Sequence, residues 1–351
     1  MTVTTSANYN GGRLEDELNQ LGWTLGHSPQ SLHRSSVGGW VATMATGQFS
    51  SLYGGIEDLI VGYTVILASG EEVELSASPR AAMGPDLRQV FIGSEGTLAV
   101  IVSVTLKIFP VPEAELLETI AFPSVGNGLD FLREQTRLGL RPFLVRLYDE
   151  DEARHAMVDS TFSKPVMFLG TRGTARTTRA EFDDLTELAA SFGGTALGSE
   201  AAQHWMARRF DFSTVENLLS ETGGFAETIE VAHTWSHIKQ LHGALRKSLE
   251  PLADEVLAHF SHVYSQGTSM YVILLGRTED DDRAIERLEE IWATAMSVCL
   301  ELGAELSHHH GGGMARSPYS RQSLGAAHRI LHSIKSALDP AGILNPGKLG
   351  L

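Results

Sequence analysis

Three consecutive histidines followed by three glycines form the segment of this sequence with the clearest chemical potential. The stretch ELSHHHGGGMARSPY carries His308, His309 and His310, with ordinary sequence on both sides. Imidazole titrates near neutral pH and is a common metal ligand, so such a run can bind a metal ion or move protons. An expression tag is not expected, because tags lie at chain ends.

A metal site is one interpretation of the triplet, since histidine-rich tracts can bind metal. The pattern AELSHHH, however, predicts a strand, and adjacent side chains of a strand point to opposite faces. His308 and His310 would then share one face and His309 the other, so at least one of them should be structural. We therefore predict no metal centre, with a zinc-dependent hydrolase as the alternative.

Two segments rich in small residues could approach a phosphate group. SSVGGWVATMATG and FIGSEGTLAVI combine Gly, Ser and Thr. Glycine lets the backbone N–H groups come near an anion with no Cβ in the way. Taken alone, each segment is better explained as ordinary surface turns.

The composition is that of a soluble globular protein with room for two domains. The chain has 351 residues, of which 42% are hydrophobic and 20% charged. Its net charge of −16 argues against nucleic acid or an anionic membrane as a partner. No segment resembles a secretory signal or reaches the roughly eighteen apolar residues of a membrane helix. The single cysteine, Cys299, excludes an internal disulfide and is expected in a buried helix, so we predict a cytoplasmic protein.

The order of strand and helix patterns predicts an α+β fold. RLEDELNQLGW predicts a short helix, followed by loops with no persistent period, and LIVGYTVILASGEEVEL predicts a hairpin turning at Ser69 and Gly70. After a β-rich run, strands alternate with helices, which predicts an antiparallel sheet with helices on one face. RQSLGAAHRILHSIKSAL predicts one last helix. We expect domains at residues 1–112 and 113–335 and a tail at 336–351 that returns to the first domain.

These motifs, in this order, resemble the FAD-linked flavoproteins of the vanillyl-alcohol oxidase type, and more narrowly the alkylglycerone-phosphate synthase branch. The matching segments are LGWTLGHSPQSLHRSSVGGWVATMATG, YGGIEDLIVG, GPDLRQVFIGSEGTLAVI, KIFPVPE, VRLYDE, GTSMYVIL, SHHHGGG and LDPAGILNPGKL. The SHHHGGG segment selects the branch, because related D-lactate and glycolate dehydrogenases typically have GEHGIG there. The resemblance implies FAD as cofactor, a partial PCMH-type FAD-binding domain, namely its second subdomain, and a substrate or cap domain.

The resemblance also implies which residues meet the cofactor and the substrate. The first small-residue segment is expected at the pyrophosphate and the second at the adenosine or flavin end, where Ala99 replaces a usual glycine. The expected cofactor-binding residues are Ser31, Ser36, Val37, Gly38, Gly39, Thr43, Gly47, Glu95, Gly96, Thr97, Leu98 and Ile101. The expected catalytic residues are Arg146, Tyr271, His308, His309 and His310, with Tyr271 acting together with a histidine.

The implied reaction takes place beside a ketone or a hydroxy acid, with flavin as the electron sink. In the synthase branch, the acyl group of an acylated dihydroxyacetone phosphate is exchanged for a long-chain alcohol. Alignment places Glu216 where that branch usually has a phosphate-binding arginine, and Arg208 and Arg209 are candidates to replace it. We therefore expect a general FAD-dependent oxidoreductase or transferase of this branch that uses phosphorylated ketones poorly. A 2-hydroxy-acid dehydrogenase of the D-lactate or glycolate type, anchoring its substrate at Arg146, is the alternative.

Family members also carry a first FAD subdomain with its own glycine-rich phosphate loop, and no segment here matches it. The expected partners are a small molecule (a hydroxy acid, a ketone or a lipid-like alcohol), a separately encoded first subdomain and a second copy of the chain in a homodimer. A non-catalytic truncated remnant that serves as a binding module is the alternative from another class of function.

Overall fold

Internal contacts divide the chain into two compact units. The computed structural model describes residues 1–76, 78–80, 82–159 and 161–351. The first unit comprises Met1–Val111 together with His309–Leu351, and the second is Pro112–His308. The chain therefore returns to the first unit at residue 309, earlier than the expected residue 336. The reason is that residues 309–335 bond to the first unit: Lys335 donates to the carbonyl oxygen of Thr97, and the N–H of Gly312 donates to the carboxylate of Glu95.

The first unit is built on antiparallel strands. They are β1 (Thr2–Ser6), β2 (Trp23–Thr24), β3 (Ile60–Ile66), β4 (Glu72–Leu75), β5 (Val100–Lys107) and β6 (Phe109–Pro110). A four-stranded sheet has the order β1-β5-β3-β4, and β2 pairs with β6. The predicted hairpin is confirmed, because Ile66 of β3 lies opposite Glu72 of β4 and Gly70 adopts a φ of 85° in the turn between them.

The described residues of this unit form five helices before the end of β5: α1 (Gly11–Gln20), α2 (Val37–Thr43), α3 (Ser50–Tyr53), α4 (Ile56–Leu59) and α5 (Arg88–Phe91). The first confirms the predicted short helix, whereas α2 lies where the sequence predicts only loops. Ser36 caps α2 by accepting a hydrogen bond from the N–H of Gly39 at 3.2 Å, and Trp40 and Val41 are buried. This burial stabilises the helix although each glycine in it costs about 1 kcal/mol relative to alanine.

The second unit contains one seven-stranded antiparallel sheet. Its strands are β7 (Ala114–Ala121), β8 (Leu144–Tyr148), β9 (Val166–Gly173), β10 (Thr195–Ala196), β11 (Gly224–Thr234), β12 (Glu255–Val263) and β13 (Gly267–Arg277). Their order in the sheet is β10-β7-β9-β8-β12-β13-β11. The predicted α+β class with an antiparallel sheet is thereby confirmed.

Helices lie on both faces of this sheet. They are α6 (Val125–Arg137), α7 (Glu150–Ala156), α8 (Ala175–Ser191), α9 (Glu200–Arg208), α10 (Ser213–Leu219), α11 (Ile238–Leu249) and α12 (Asp281–Leu302). On one face Leu147, Phe260 and Met270 lie opposite one another across β8, β12 and β13 and are fully buried. His242 of α11 packs on Phe260 there, with ring centroids 5.4 Å apart. The sequence predicted helices on one face only. The structure differs, because Glu152 of α7 and Trp205 of α9 contact residues on the opposite face, as described below.

Two further expectations near the C-terminus differ from the structure. AELSHHH is not a strand: Glu305 forms an isolated bridge with Ala232, and the chain bends after it. The alternation argument for the histidines therefore does not apply. The predicted last helix is divided into α13 (Ser320–Leu324) and α14 (Ala327–Leu338) by Gly325, whose φ is 53°.

Cys299 is buried in α12 as expected. No helix of the described ranges combines the length and apolar character needed to cross a membrane.

A buried lysine of α14 stabilises the first unit through hydrogen bonds to three other residues. Lys335 donates to the carbonyl oxygens of Thr97 at 2.8 Å and Leu344 at 2.7 Å, and to the buried carboxylate of Asp339 at 2.5 Å. We expect Lys335→Met to destabilise the protein by about 3 kcal/mol, because it leaves a buried carboxylate without its cation. Urea unfolding measures the change. The exposed Arg329→Met on the same helix is the control, with an expected effect within about 0.5 kcal/mol, and equal effects would contradict this role.

Candidate active site

The strand register places polar side chains in a row on one face of the seven-stranded sheet. Tyr148 of β8 lies opposite His259 of β12, His259 lies opposite Tyr271 of β13, and Tyr271 lies opposite Glu230 of β11. Directly opposed residues share a face, and Arg146 joins them because it precedes Tyr148 by two positions. Two of the expected catalytic residues, Arg146 and Tyr271, therefore lie on one surface of the second unit.

The guanidinium group of Arg146 is held by aromatic rings. Its Nε donates to the hydroxyl of Tyr148 at 2.8 Å, and its Cζ lies 5.3 Å from the Tyr148 ring centroid and 5.4 Å from that of Trp205 in α9. Its Nη2 lies 3.4 Å from Nδ1 of His259. Within the described part of the chain, no carboxylate forms an ion pair with Arg146. Its positive charge thus suits an anionic ligand, for which a planar guanidinium offers two parallel donors.

Tyr271 is held as a neutral phenol. Its ring stacks on His259 with centroids 4.5 Å apart and planes 20° apart, and its hydroxyl lies 3.4 Å from Nε2 of His262. Burial, reinforced by the negative charge of Glu230, raises the pKa of Tyr271 well above its usual value, although Arg146 opposes this. Tyr271 can therefore donate a hydrogen bond at neutral pH, and it acts as a base only when a neighbour removes its proton.

His262 is a site residue that the sequence analysis does not identify. A bulge between Ser261 and Val263 gives His262 a φ of 54°, a left-handed conformation that costs about 1 kcal/mol or more in a non-glycine residue. In a regular strand His262 would follow Phe260 onto the helix-covered face, whereas the bulge brings its ring toward Tyr271. The only signal in the sequence was the concentration of histidines in the last third of the chain.

His308 is the member of the triplet that belongs to the second unit. Its Nε2 lies 2.7 Å from the hydroxyl of Tyr264, and its ring stacks on that of His262 with centroids 5.2 Å and planes 15° apart. The fully buried Glu230 accepts a hydrogen bond from the backbone N–H of His308 at 3.1 Å, and its Oε1 lies 3.5 Å from Nδ1 of that residue. Tyr271, His262, His308 and Tyr264 thus form a continuous cluster of titratable side chains, in which each tyrosine hydroxyl lies near a histidine nitrogen and the two histidine rings stack.

His309 and His310 belong to the first unit. Their ring centroids lie 4.7 Å apart in an edge-on arrangement. In the same unit, burial and then the nearby His309 lower the pKa of His27 to about 3, so His27 is neutral at physiological pH. The expected roles of His309 and His310 in catalysis stay predictions.

A buried carboxyl group supports the row from α7. Both carboxyl oxygens of Glu152 lie 2.8 to 2.9 Å from Nδ1 of His259. Burial raises the pKa of Glu152 to about 8, with Arg146 opposing the shift and Asp149 adding to it. Burial and then Arg146 lower the pKa of His259 well below its usual value. Glu152 and His259 are therefore both neutral at pH 7, and neither was anticipated from the sequence.

The expected cofactor-binding residues lie in the first unit and differ in exposure. Ser31 and Gly39 are exposed, Ser36, Thr43, Glu95, Gly96 and Ile101 are half-buried, and Val37, Gly38, Gly47, Thr97 and Leu98 are buried. Buried members can meet a cofactor only through their backbone. At Gly39 an added Cβ would approach only Oγ of Ser36, at 3.2 Å, so the backbone there is open to a bulky anion. The small residues leave space for a phosphate group. Their backbone donors are engaged within the unit, because the N–H groups of Val37 and Gly38 donate to the carbonyl oxygens of Tyr9 and Ala7.

Glu95 has a structural role that the sequence did not reveal. Its carboxylate accepts hydrogen bonds from the N–H groups of Gly312 at 2.5 Å and Gly313 at 3.0 Å, and Asn345 donates to its carbonyl oxygen at 2.5 Å. Its φ is 50°, which is unusual for a residue other than glycine. The side chain therefore holds the glycine segment that follows the histidines, while the proposed contact with FAD stays a prediction.

Comparison with known proteins identifies the family. A family model described as FAD linked oxidases, C-terminal domain, matches residues 111–349, and one described as FAD binding domain matches residues 1–76. The chain belongs to the FAD-linked oxidases. The uncharacterized FAD-linked oxidoreductase YgcU of Escherichia coli (strain K12) is 33% identical over 357 residues, covering 96% of this chain and 72% of that protein. The predicted family and FAD as its cofactor are thereby confirmed.

Relatives of the synthase branch match as well. The alkyldihydroxyacetonephosphate synthase of Caenorhabditis elegans is 30% identical over 384 residues, covering 99% of this chain and 64% of that protein. A solved alkyldihydroxyacetonephosphate synthase structure aligns with a TM-score of 0.79 at 24% identity, covering 99% of this chain and 64% of that one. This FAD-linked oxidase chain therefore spans slightly less than two thirds of the length of these synthases and shares their fold.

The neutral state of Glu152 predicts how stability depends on pH. Between about pH 5 and 8 the folded chain holds a proton on Glu152 that the unfolded chain has lost, so this group makes the fold less stable as pH rises. Glu152→Gln removes this dependence. We expect the variant to gain stability relative to the wild type by up to about 1.4 kcal/mol per pH unit across that range, and no further above it.

Urea unfolding at a series of pH values measures this difference. The exposed Glu187→Gln in α8 removes one carboxylate without burial and serves as the control, with an expected difference of a few tenths of a kcal/mol. A Glu152→Gln difference that does not change with pH would show that Glu152 is ionised in the folded chain.

Proposed function

We propose that the second unit provides the substrate site of an FAD-dependent oxidoreductase or transferase that acts at a carbon beside a ketone or hydroxyl group of an anionic small molecule. The observation that supports this most is the row on one sheet face. It joins Arg146, a half-buried cation with no ion pair among the described residues, to a neutral phenol, Tyr271, and through it to His262 and His308.

Arg146 anchors the anionic end of the substrate. A carboxylate or phosphate would meet a guanidinium whose direction is fixed by Tyr148 and Trp205. Because these rings cover part of the cation, a charge-assisted pair here is stronger than one at a fully exposed side chain. Binding of the anionic group also fixes the distance between Tyr271 and the substrate carbon next to that group. The substrate is thereby oriented for reaction.

The histidines move protons, and Tyr271 stabilises charge on the substrate oxygen. Removal of a proton beside a ketone, or from a hydroxyl group, needs a positioned proton acceptor, and His262 and His308 are the imidazoles nearest to Tyr271 in this cluster. The Tyr271 hydroxyl donates a hydrogen bond to the oxygen on which negative charge develops. Bound FAD supplies the electron acceptor for this chemistry, and the exposed Gly39, with the hydroxyl groups of Ser36 and Thr43, would lie at its phosphates.

Two substrate classes fit this site, and Arg146 favours the smaller one. A 2-hydroxy acid needs one cation for its carboxylate, which Arg146 provides. A phosphorylated ketone, as in the ether-forming reaction of the synthases, needs further positive charge. Glu216 is exposed on α10, and Arg208 is paired with Asp211 at 3.7 Å. Arg209, which follows Trp205 by four residues and stacks on Phe210 at 4.3 Å, is the candidate second cation.

Tyr271→Phe tests the catalytic assignment. We expect turnover of glycolate, D-lactate or dihydroxyacetone phosphate by the FAD-loaded protein to fall by about 100-fold or more, because the hydrogen bond to the developing oxyanion is lost. His262→Ala should have a similar effect. Flavin absorbance after gel filtration should be unchanged in both. Tyr9→Phe, which removes a surface hydroxyl bonded to Glu17, is the matched control. Full activity of Tyr271→Phe would refute the assignment, and failure of the protein to retain any FAD would support a non-catalytic module.

Arg146→Lys tests the anchor. Lysine keeps the charge but loses the parallel donors, so we expect the KM for the anionic substrate to rise about tenfold, with a smaller change in kcat. The exposed Arg179→Lys in α8 is the control. A KM that does not change, measured together with a large fall in kcat, would place Arg146 in the chemical step and not in substrate binding.

A further inference from the structure

His259 is shared between a cation and a carboxyl group that do not pair with each other. Its Nδ1 lies 3.4 Å from Nη2 of Arg146 and 2.8 Å from Oε2 of Glu152. A guanidinium group only donates hydrogen bonds, whereas an imidazole Nδ1 either donates or accepts. If Nδ1 accepts from Arg146, the Glu152 carboxyl must carry a proton. If Nδ1 donates to an ionised Glu152, it presents an N–H to the N–H of Arg146.

Of the two side chains that can take up a proton here, Glu152 carries it and His259 does not. Nε2 of His259 is buried and has no hydrogen-bond partner in the described ranges. An imidazolium would therefore carry an unsatisfied buried N–H and a second positive charge beside Arg146. Both effects disfavour the charged ring.

The other charges around Glu152 do not neutralise it. Asp149 is paired with Arg246, and His155 lies 2.6 Å from Glu255 on the exposed side of α7. Among described residues, His259 is the only group in ion-pair distance of Glu152. The titratable and charged groups that face Glu152 from the elements packed against it are Arg146 and Tyr148 of β8, Asp149 and His155 at α7, His259 of β12 and Tyr271 of β13.

We propose that the proton on Glu152 decides whether Arg146 is available to a substrate anion. With the carboxyl protonated, the charge of Arg146 is uncompensated and binds the anion. With the carboxyl ionised, a second negative charge faces the same guanidinium across His259, and the anion binds weakly. Glu152 and His259 are thus positioning residues that act through Arg146 and limit anion capture at high pH. This inference rests on the proposed role of Arg146 as the anchor.

Proton binding at Glu152 and anion binding at Arg146 are coupled in both directions. Because an added anion disfavours a second negative charge nearby, glycolate should raise the pH at which Glu152 loses its proton. The uncomplexed group is expected to titrate near pH 8. Glycolate itself stays ionised throughout this range, so any pH dependence of its binding belongs to the protein.

The experiment uses the full chain without activity as a readout. Infrared difference spectra of protein carrying isotope-labelled glutamate detect a protonated carboxyl group directly, and Glu152→Gln identifies its band. We expect the wild-type band to disappear near pH 8 and to persist to higher pH when glycolate is added. Calorimetry should show that the affinity for glycolate falls by up to about tenfold per pH unit above pH 8 in the wild type, and stays level in Glu152→Gln.

Glu255→Gln, which removes an exposed carboxylate beside α7, is the control and should behave as the wild type. Absence of the carboxyl band at pH 6 would overturn the proposal, and so would an equal pH dependence in the wild type and Glu152→Gln. If the band is present but glycolate binds at no pH, the role of Arg146 as anchor is refuted, and the coupling with it. A protonated Glu152 whose titration glycolate does not move would refute the coupling alone.

Discussion

The antiparallel register of β8, β12, β13 and β11 is the constraint on which the candidate site depends. Successive residues of a strand point to opposite faces, and Leu147, Phe260 and Met270 are fixed under helices on one face. Their neighbours in sequence must therefore point to the other face, which is where Tyr148, His259 and Tyr271 lie. A shift of one residue would place these polar groups among the apolar side chains of the other face, so packing of the core enforces the arrangement of the site.

Charges in this row are tolerated because each is neutralised, hydrogen-bonded or left for a ligand. The buried carboxylate of Glu230 accepts from the backbone N–H of His308 and from the hydroxyl of Ser307 at 3.2 Å. Glu152 avoids an ionised state at neutral pH by keeping its proton. Arg146 is the exception, because its contacts are with aromatic rings and no carboxylate of the described residues pairs with it. A half-buried cation without an anion contributes less to stability than a paired one, which is the physical reason to propose a function for it.

The sequence predicted the fold class, the family and its cofactor, and it pointed to Arg146 and Tyr271 by resemblance to that family. It could not predict His262, because a bulge changes the face of a single residue without changing the strand pattern around it. Nor could it predict Glu152. This residue lies in α7, far from His259 in the sequence, and a local sequence pattern carries no information about a contact between such distant residues. Helix α2 was missed for a related reason, since its stability comes from the burial of Trp40 and not from its glycines.

The histidine triplet shows why residue type alone does not define a role. Its first member is fixed by a buried carboxylate, a tyrosine hydroxyl and the ring of His262, all within the second unit. The next two belong to the first unit, where the rings of His309 and His310 pack on each other. In a strand, alternation would place the three histidines on two faces. Here they lie in different environments because the chain bends after Glu305 and then passes from the second unit to the first. Because its ring belongs to the cluster that includes Tyr271, His308 is the histidine of the three for which we propose a role in the chemistry of the second unit.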